Sequence, residues 1–137
     1  MAEMNEDFHV RQCVRALGAK NGITGWDLDG DGSSGLRLRD GSEIYLRYAP
    51  AAHRLYVYAV LAPLSSNRRP EIALSLLQNN CLEEGSEGGV LSVSDRLAAF
   101  VYHVALPSDH ITVGKLEHEI NAFLVKRRRM AQLVATR

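Results

Sequence analysis

The chain has 137 residues, 46% of them hydrophobic, with 16 basic and 16 acidic side chains that cancel to a formal charge of zero. A chain of this length makes about one domain and buries roughly two-thirds of its unfolded surface, so it can hold a core without a disulfide or metal staple. The opening MAEMNEDFHV carries acids where a signal peptide needs bases, and no stretch reaches the roughly 18 apolar residues that span a bilayer, so a cytoplasmic protein without membrane insertion is expected.

Residues 5–21 place Val10, Cys13, Val14 and Leu17 on one helical face, and Asn21-Gly22 supplies a stop. From 36 to 62 the period changes to two. Leu36/Leu38 and Ile44/Leu46 alternate with Arg37, Arg39 and Arg47, Asp40-Gly41 marks a hairpin turn, and His53 to Ala62 reads as a third, more buried strand. After the loop 63–69, Pro70 suits the first position of a helix carrying Ile72, Leu74, Leu76 and Leu77 and ending near Asn79 or Leu82. Gly85, Gly88 and Gly89 open a turn into a second hairpin, Val90–Val93 and Arg96–Leu106, with Ser94-Asp95 between its strands and Pro107 closing it. Residues 112–134 carry Val113, Leu116, Ile120, Phe123, Leu124, Met130 and Val134 along one long amphipathic helix. The predicted order is α-βββ-α-ββ-α: a single α+β domain over 1–137, its antiparallel twisted sheet flanked by helices. Its end, 125–137, is basic: Lys126, Arg127, Arg128, Arg129 and Arg137 leave residues 1–125 with 11 basic and 16 acidic groups, net −5. Such a cluster can contact phosphate, but the negative end of a helix dipole also favours it, and no nucleic-acid partner is expected.

The motifs that could carry chemistry lack their context. Gly30-Asp31-Gly32-Ser33-Ser34-Gly35 matches G-x-G-x-x-G, yet it leads into a strand where a dinucleotide site needs a helix. Asp27, Asp29, Asp31 and Gly32 resemble the first half of a calcium loop, but its twelfth position is Leu38 where a bidentate Glu is required. The histidines at 9, 53, 103, 110 and 118 make no ligand set: His118-Glu119 is followed by Ala122 in place of a second His, and His103 on an apolar strand suits a core or interface. Ser108, Asp109 and His110 are adjacent without a nucleophile elbow, and Ser108 or Asp109 is expected to cap a helix. Cys13 and Cys81 are too far apart in sequence for a CxxC motif. No catalytic residue, metal or cofactor is expected. What remains is apolar, more than a thin sheet needs, and surplus apolar surface marks sites for partners.

The block Ile72-Ala73-Leu74-Ser75-Leu76-Leu77-Gln78-Asn79-Asn80, then Gly88-Gly89-Val90-Leu91-Ser92-Val93, then Leu97 to Leu106 and Pro107, resembles the class I type III secretion chaperones, the Tir chaperone family. In that family a short helix ending in a Leu-Leu-x-x-Asn-like segment precedes a glycine turn, a hairpin, a Leu-Pro step and a long final helix. The resemblance covers nearly the whole chain. It implies a bacterial homodimer without enzymatic activity that holds the N-terminal segment of a secreted effector in extended form. It further implies that Ile72, Leu76, Leu77, Leu91, Val93, Phe100 and Tyr102 build the dimer interface. Effector grooves would then fall to Val10, Val14, Leu36, Leu38, Ile44, Leu46, Leu55 and Val57. Strand addition and pocket filling on a sheet would suit such an extended ligand. The alternative is a cytosolic interaction module of similar fold unconnected with secretion.

Overall fold

The computed structural model describes residues 2–135 of the chain, with side chains from residue 5 onward; Arg137 of the basic end lies outside the described residues. The first predicted helix is α1 (Ala2–Lys20), which begins earlier than residue 5 and buries Val10, Cys13, Val14 and Leu17 on one face, as their spacing requires. It stops at Asn21-Gly22 in a Schellman turn. Gly22 takes φ +75, Ile23 N–H donates to Gly18 C=O at 2.7 Å, and Gly22 N–H donates to Ala19 C=O at 3.2 Å.

Strand β1 (Ser33–Arg37) starts three residues before the Leu36/Leu38 alternation and ends before Leu38. The loop ahead of it explains the early start. Asp29 Oδ1 accepts from Ser33 N–H at 2.9 Å while Asp29 N–H donates to Ser33 C=O at 2.8 Å, which draws Ser33 into extended backbone. Leu38 instead enters the Asp40-Gly41 turn, donating its N–H to Ser42 C=O at 2.8 Å. Strand β2 (Glu43–Ala49) pairs antiparallel with β1, Leu36 opposite Ile44, and buries Ile44, Leu46 and Tyr48. A 3₁₀ turn at Pro50–Ala52 and a left-handed His53 (φ 53) lead into β3 (Arg54–Pro63), which buries Leu55, Val57 and Ala59.

Helix α2 (Arg69–Asn80) has Pro70 in its first turn and buries Ile72 and Leu76, one turn apart. The next hairpin joins β4 (Val90–Ser94) to β5 (Ala99–Pro107), Leu91 opposite Tyr102. Its loop is longer than the Ser94-Asp95 turn that the sequence suggests. Ser94 Oγ accepts from Leu97 N–H at 3.1 Å and Ala98 takes φ 50, so residues 95–98 make a four-residue connection and β5 begins at Ala99. Helix α3 (Val113–Gln132) follows, burying Leu116, Ile120, Phe123 and Met130. Its N-cap is Thr112, whose Oγ1 accepts from Lys115 N–H at 3.1 Å. Ser108 and Asp109 do not cap it, because they sit too far upstream of the first turn.

Among the described residues, three α-helices and a five-stranded antiparallel sheet in the order β1-β2-β3-β5-β4 make this an α+β fold, as predicted. The chain packs as two compact units, Met1–Val57 with Ala105–Ala122 and Tyr58–Val104 with Phe123–Arg137. The first holds α1, β1 and β2; the second holds α2, the β4–β5 turn and the end of α3. In the second, Tyr102 stacks on Phe123 with ring centroids 5.6 Å apart and donates its hydroxyl to Ser86 C=O at 2.7 Å. Gly89 lies directly over that ring: a Cβ there would stand 2.5 Å from Tyr102 Cε1 and 2.6 Å from His103 O, a space only glycine fits.

Candidate binding surfaces

The acidic loop before β1 is engaged within the chain. Asp27 holds Arg15 at 2.8 Å, and Asp29 and Asp31 accept from backbone amides of the loop itself, Ser33 N–H among them. These bonds turn the carboxylates toward their own backbone as Asx turns. The glycine-rich segment runs into β1, a strand.

One polar hub was invisible in the sequence. Glu6, on α1, accepts through Oε1 from the Tyr48 hydroxyl and from Ser108 Oγ, both at 2.6 Å, and through Oε2 from His53 Nδ1 at 2.9 Å. The Ser108 N–H donates to His53 C=O at 3.0 Å, closing the ring of bonds. Burial by itself would raise the Glu6 carboxyl; hydrogen bonds from Ser108, Tyr48 and His53, with the His53 charge, together lower it to about 2. Burial and Glu6 push the Tyr48 phenol well above its usual range. A serine, a histidine and a carboxylate thus meet, but the carboxylate is central and the fully buried Ser108 hydroxyl is bonded to it rather than to the imidazole. A nucleophile needs the base next to it, so this arrangement ties α1 to β2 and to the segment after β5 instead of activating a hydroxyl. Asp109 and His110, its sequence neighbours, are exposed.

Beside this tie lies an open groove of about 630 Å³, lined by His9, Cys13, Arg15, Ala16, Ala19, Thr112 and Val113 among others. The exposed alanines keep the outer face of α1 low there, and Phe8, also on α1, is 60% exposed. His9 Nε2 and Cys13 Sγ both donate to the Ile111 carbonyl, the thiol at 3.7 Å, and burial pushes the thiol pKa up. A protonated, buried thiol is a packing group, not a nucleophile. A second hollow of about 410 Å³ is walled by Leu106, Pro107, His110, Ile111, His118 and Glu119, with others.

The residues expected to line effector grooves divide by burial. Val10, Val14, Ile44, Leu46, Leu55 and Val57 are fully enclosed, so as side chains they are core; Leu36 and Leu38 are half-buried. Period-two alternation marks the face that a sheet buries, and this chain covers that face with its own residues. The expected dimer residues divide in the same way. Ile72, Leu76, Leu91, Phe100 and Tyr102 are buried within the chain, while Leu77 is 68% and Val93 55% exposed. Sequence reasoning missed the exposed Leu74, Leu82 and Val90. Leu74 and Leu77 lie one turn apart on α2, and Leu82, 85% exposed, takes a left-handed φ of 53 in the turn that follows.

The basic end is partly tied down. Arg129 forks onto Glu87 at 2.5 and 2.7 Å, Lys126 and Arg127 are half-buried, and Arg68 donates to the Val134 carbonyl at 3.1 Å. Among the described residues no helix is long and apolar enough to cross a membrane.

The model of the Tir chaperone protein (CesT) family matches residues 12–131. Among solved structures, the chain resembles one in the ExsC–ExsE complex (TM-score 0.78, 13% identity, covering 93% of this chain and 94% of that one). It also resembles one in the HopA1–SchA chaperone–effector complex (0.71, 16%, 94% and 97%). A third is in the heterodimeric ExoU–SpcU complex from the type III secretion system of Pseudomonas aeruginosa (0.59, 16%, 90% and 95%). At these identities the likeness is one of fold. Comparison with curated proteins finds no match. The family model covers the helix, the glycine turn, the hairpin and nearly all of the final helix read from the sequence, and the chain belongs to the Tir chaperone protein (CesT) family of type III secretion chaperones.

Proposed function

We propose that the protein is a non-enzymatic cytoplasmic chaperone which, as a homodimer, binds the N-terminal segment of one type III secreted effector in extended form and keeps it fit for export. The family match over residues 12–131 carries this reading. That match runs through both compact units, which supports treating 1–137 as one functional domain. Similar folds occur in complexes described as chaperone–effector pairs, which supports an effector as the partner.

Each compact unit offers a surface for one of the two tasks. In the unit of α2 and β4, Leu74, Leu77, Leu82 and Val93 hold large apolar side chains in water, the kind of surface a second copy would cover. In the unit of α1, the groove beside Ala16, Ala19 and Val113 and the exposed Phe8 offer apolar contacts to a chain passing over. A disordered segment can wrap such a surface and pay its ordering entropy from many small contacts.

Co-expression with neighbouring open reading frames, followed by pull-down and light scattering, tests the reading. The expected product is a complex of two copies of this chain with one effector, protected at the effector's N-terminal segment. A lone monomer that retains no secreted protein would overturn it in favour of an interaction module outside secretion.

A further inference from the structure

The negative end of a helix favours bases within about its last turn, and in α3 that turn holds only Arg129. Lys126, Arg127 and Arg128 lie further in, and the helix end is already served, because Arg68 donates to the Val134 carbonyl at 3.1 Å. The dipole therefore does not account for the row. Arg127 even falls on the buried stripe between Phe123 and Met130, with its Nε enclosed and without a hydrogen-bond partner, an arrangement that costs stability. The bond from Arg68 brings the start of α2 to the end of α3, so that Arg68 and exposed Arg69 extend the basic surface. Among the described residues no carboxylate pairs with Arg68, Arg69, Lys126, Arg127 or Arg128. In the other compact unit Arg11, Arg15, Lys20 and Arg37 each hold one, at 3.0, 2.8, 2.7 and 2.8 Å.

Arg129 shows what such a surface takes. Its Nη2 and Nε fork onto Glu87 Oε1 and Oε2 at 2.5 and 2.7 Å, the planar match of guanidinium to carboxylate. The two side chains are 55% and 31% exposed, and an ion pair in water adds little stability, so a carboxylate from outside can take the place of Glu87. Val125, 49% exposed, stands one turn before Arg128 and Arg129 and gives that face an apolar foothold. Phe123, Phe100 and Tyr102 are buried, so these elements offer no ring on which a nucleic-acid base could stack. Among the described residues Val125 is also the one exposed large apolar side chain of α3, too little to seat the helix in lipid.

We propose that the last turns of α3 dock an acidic peptide of a protein partner, its apolar residue on Val125 and its carboxylates on Arg128 and Arg129, with Glu87 holding the Arg129 fork until the peptide displaces it. None of these residues belongs to the faces offered above to a second copy or to the effector. The rest of the chain favours this placement: residues 1–125 carry a net −5, which repels an acidic segment from other surfaces.

The test is fluorescence anisotropy of a labelled synthetic peptide, glutamates with a leucine at every helical turn, titrated with the full native chain. Binding should weaken as salt rises, and the same peptide with lysine for glutamate should stay free. Arg128→Glu with Arg129→Glu should bind at least about tenfold more weakly, the order of effect of a lost charged hydrogen bond. Arg39→Glu with Arg54→Glu makes the same charge change at exposed positions of the other unit and should bind close to native. Glu87→Gln keeps the shape of the side chain and vacates the fork, so it should bind roughly threefold more tightly than native. Circular dichroism checks that each variant is folded. The assignment is wrong if the native chain leaves the peptide free, if the control pair loses as much as the α3 pair, or if Glu87→Gln binds no more tightly than native. Tighter binding to phosphatidylglycerol vesicles or to single-stranded RNA than to the peptide would give the surface to another occupant and overturn it equally.

Discussion

Glu6 shows how one carboxylate can do structural work that its surroundings in the sequence do not announce. Three donors converge on it, and its pKa falls from 4.5 to about 2. Because the folded-state value lies below the unfolded one, the stabilisation is fully present above about pH 4.5 and is lost as pH falls toward 2. The urea midpoint of the native chain should therefore drop between pH 5 and pH 3. Glu6→Gln, already less stable at pH 7, should lose less over the same interval; an equal loss in both would place the acid sensitivity elsewhere. Gly89 is the second residue whose role is local and steep. Gly89→Ala puts a methyl group into the Tyr102 ring and the His103 carbonyl, and overpacking of this kind costs about 1–3 kcal/mol or more. A thermal melt should show it as a drop of several degrees, while Gly30→Ala, with open space around it, should melt close to native.

Elements were legible where the sequence repeats a period. The α1 face, the alternation of β2 and β3 and the apolar stripe of α3 all fell where spacing placed them, since burial on one side fixes register. Their ends were less legible, because side chains that bond backbone set them. Asp29 starts β1 early, Ser94 lengthens the second hairpin, and Thr112, not Ser108 or Asp109, caps α3. The cap makes a direct test. Thr112→Ala should cost about 1 kcal/mol of stability, as removal of an N-cap hydroxyl usually does, and Asp109→Ala should cost close to nothing. Equal losses in chemical denaturation would show that the α3 start is held by something other than that hydroxyl. The bond from Ser108 to Glu6 escaped notice for a related reason: the two lie 102 residues apart, and no local pattern joins them.

On the scale of the whole molecule, the sequence could say that apolar residues were in surplus but not which of them the chain would cover itself. Leu76 and Leu77 are neighbours in the same family-like motif, yet one is 3% and the other 68% exposed, because successive helical residues point about 100° apart. The resemblance to a chaperone family supplied the surfaces by region, and burial then sorts them by residue. This sorting changes what a charge should do on α2. Leu76→Asp places an unpaired carboxylate in the core and should destabilise the chain by several kcal/mol or leave it aggregated, whatever its oligomeric state. Leu74→Asp with Leu77→Asp adds two charges to a face already in water within the single chain, so the melting temperature of the isolated fold should barely move. If that face joins two copies, the doubly substituted protein should remain folded by circular dichroism while light scattering gives half the native mass. A double variant that stays dimeric would move the pairing surface off α2, and a native mass that is already that of one chain would show that the free protein does not pair.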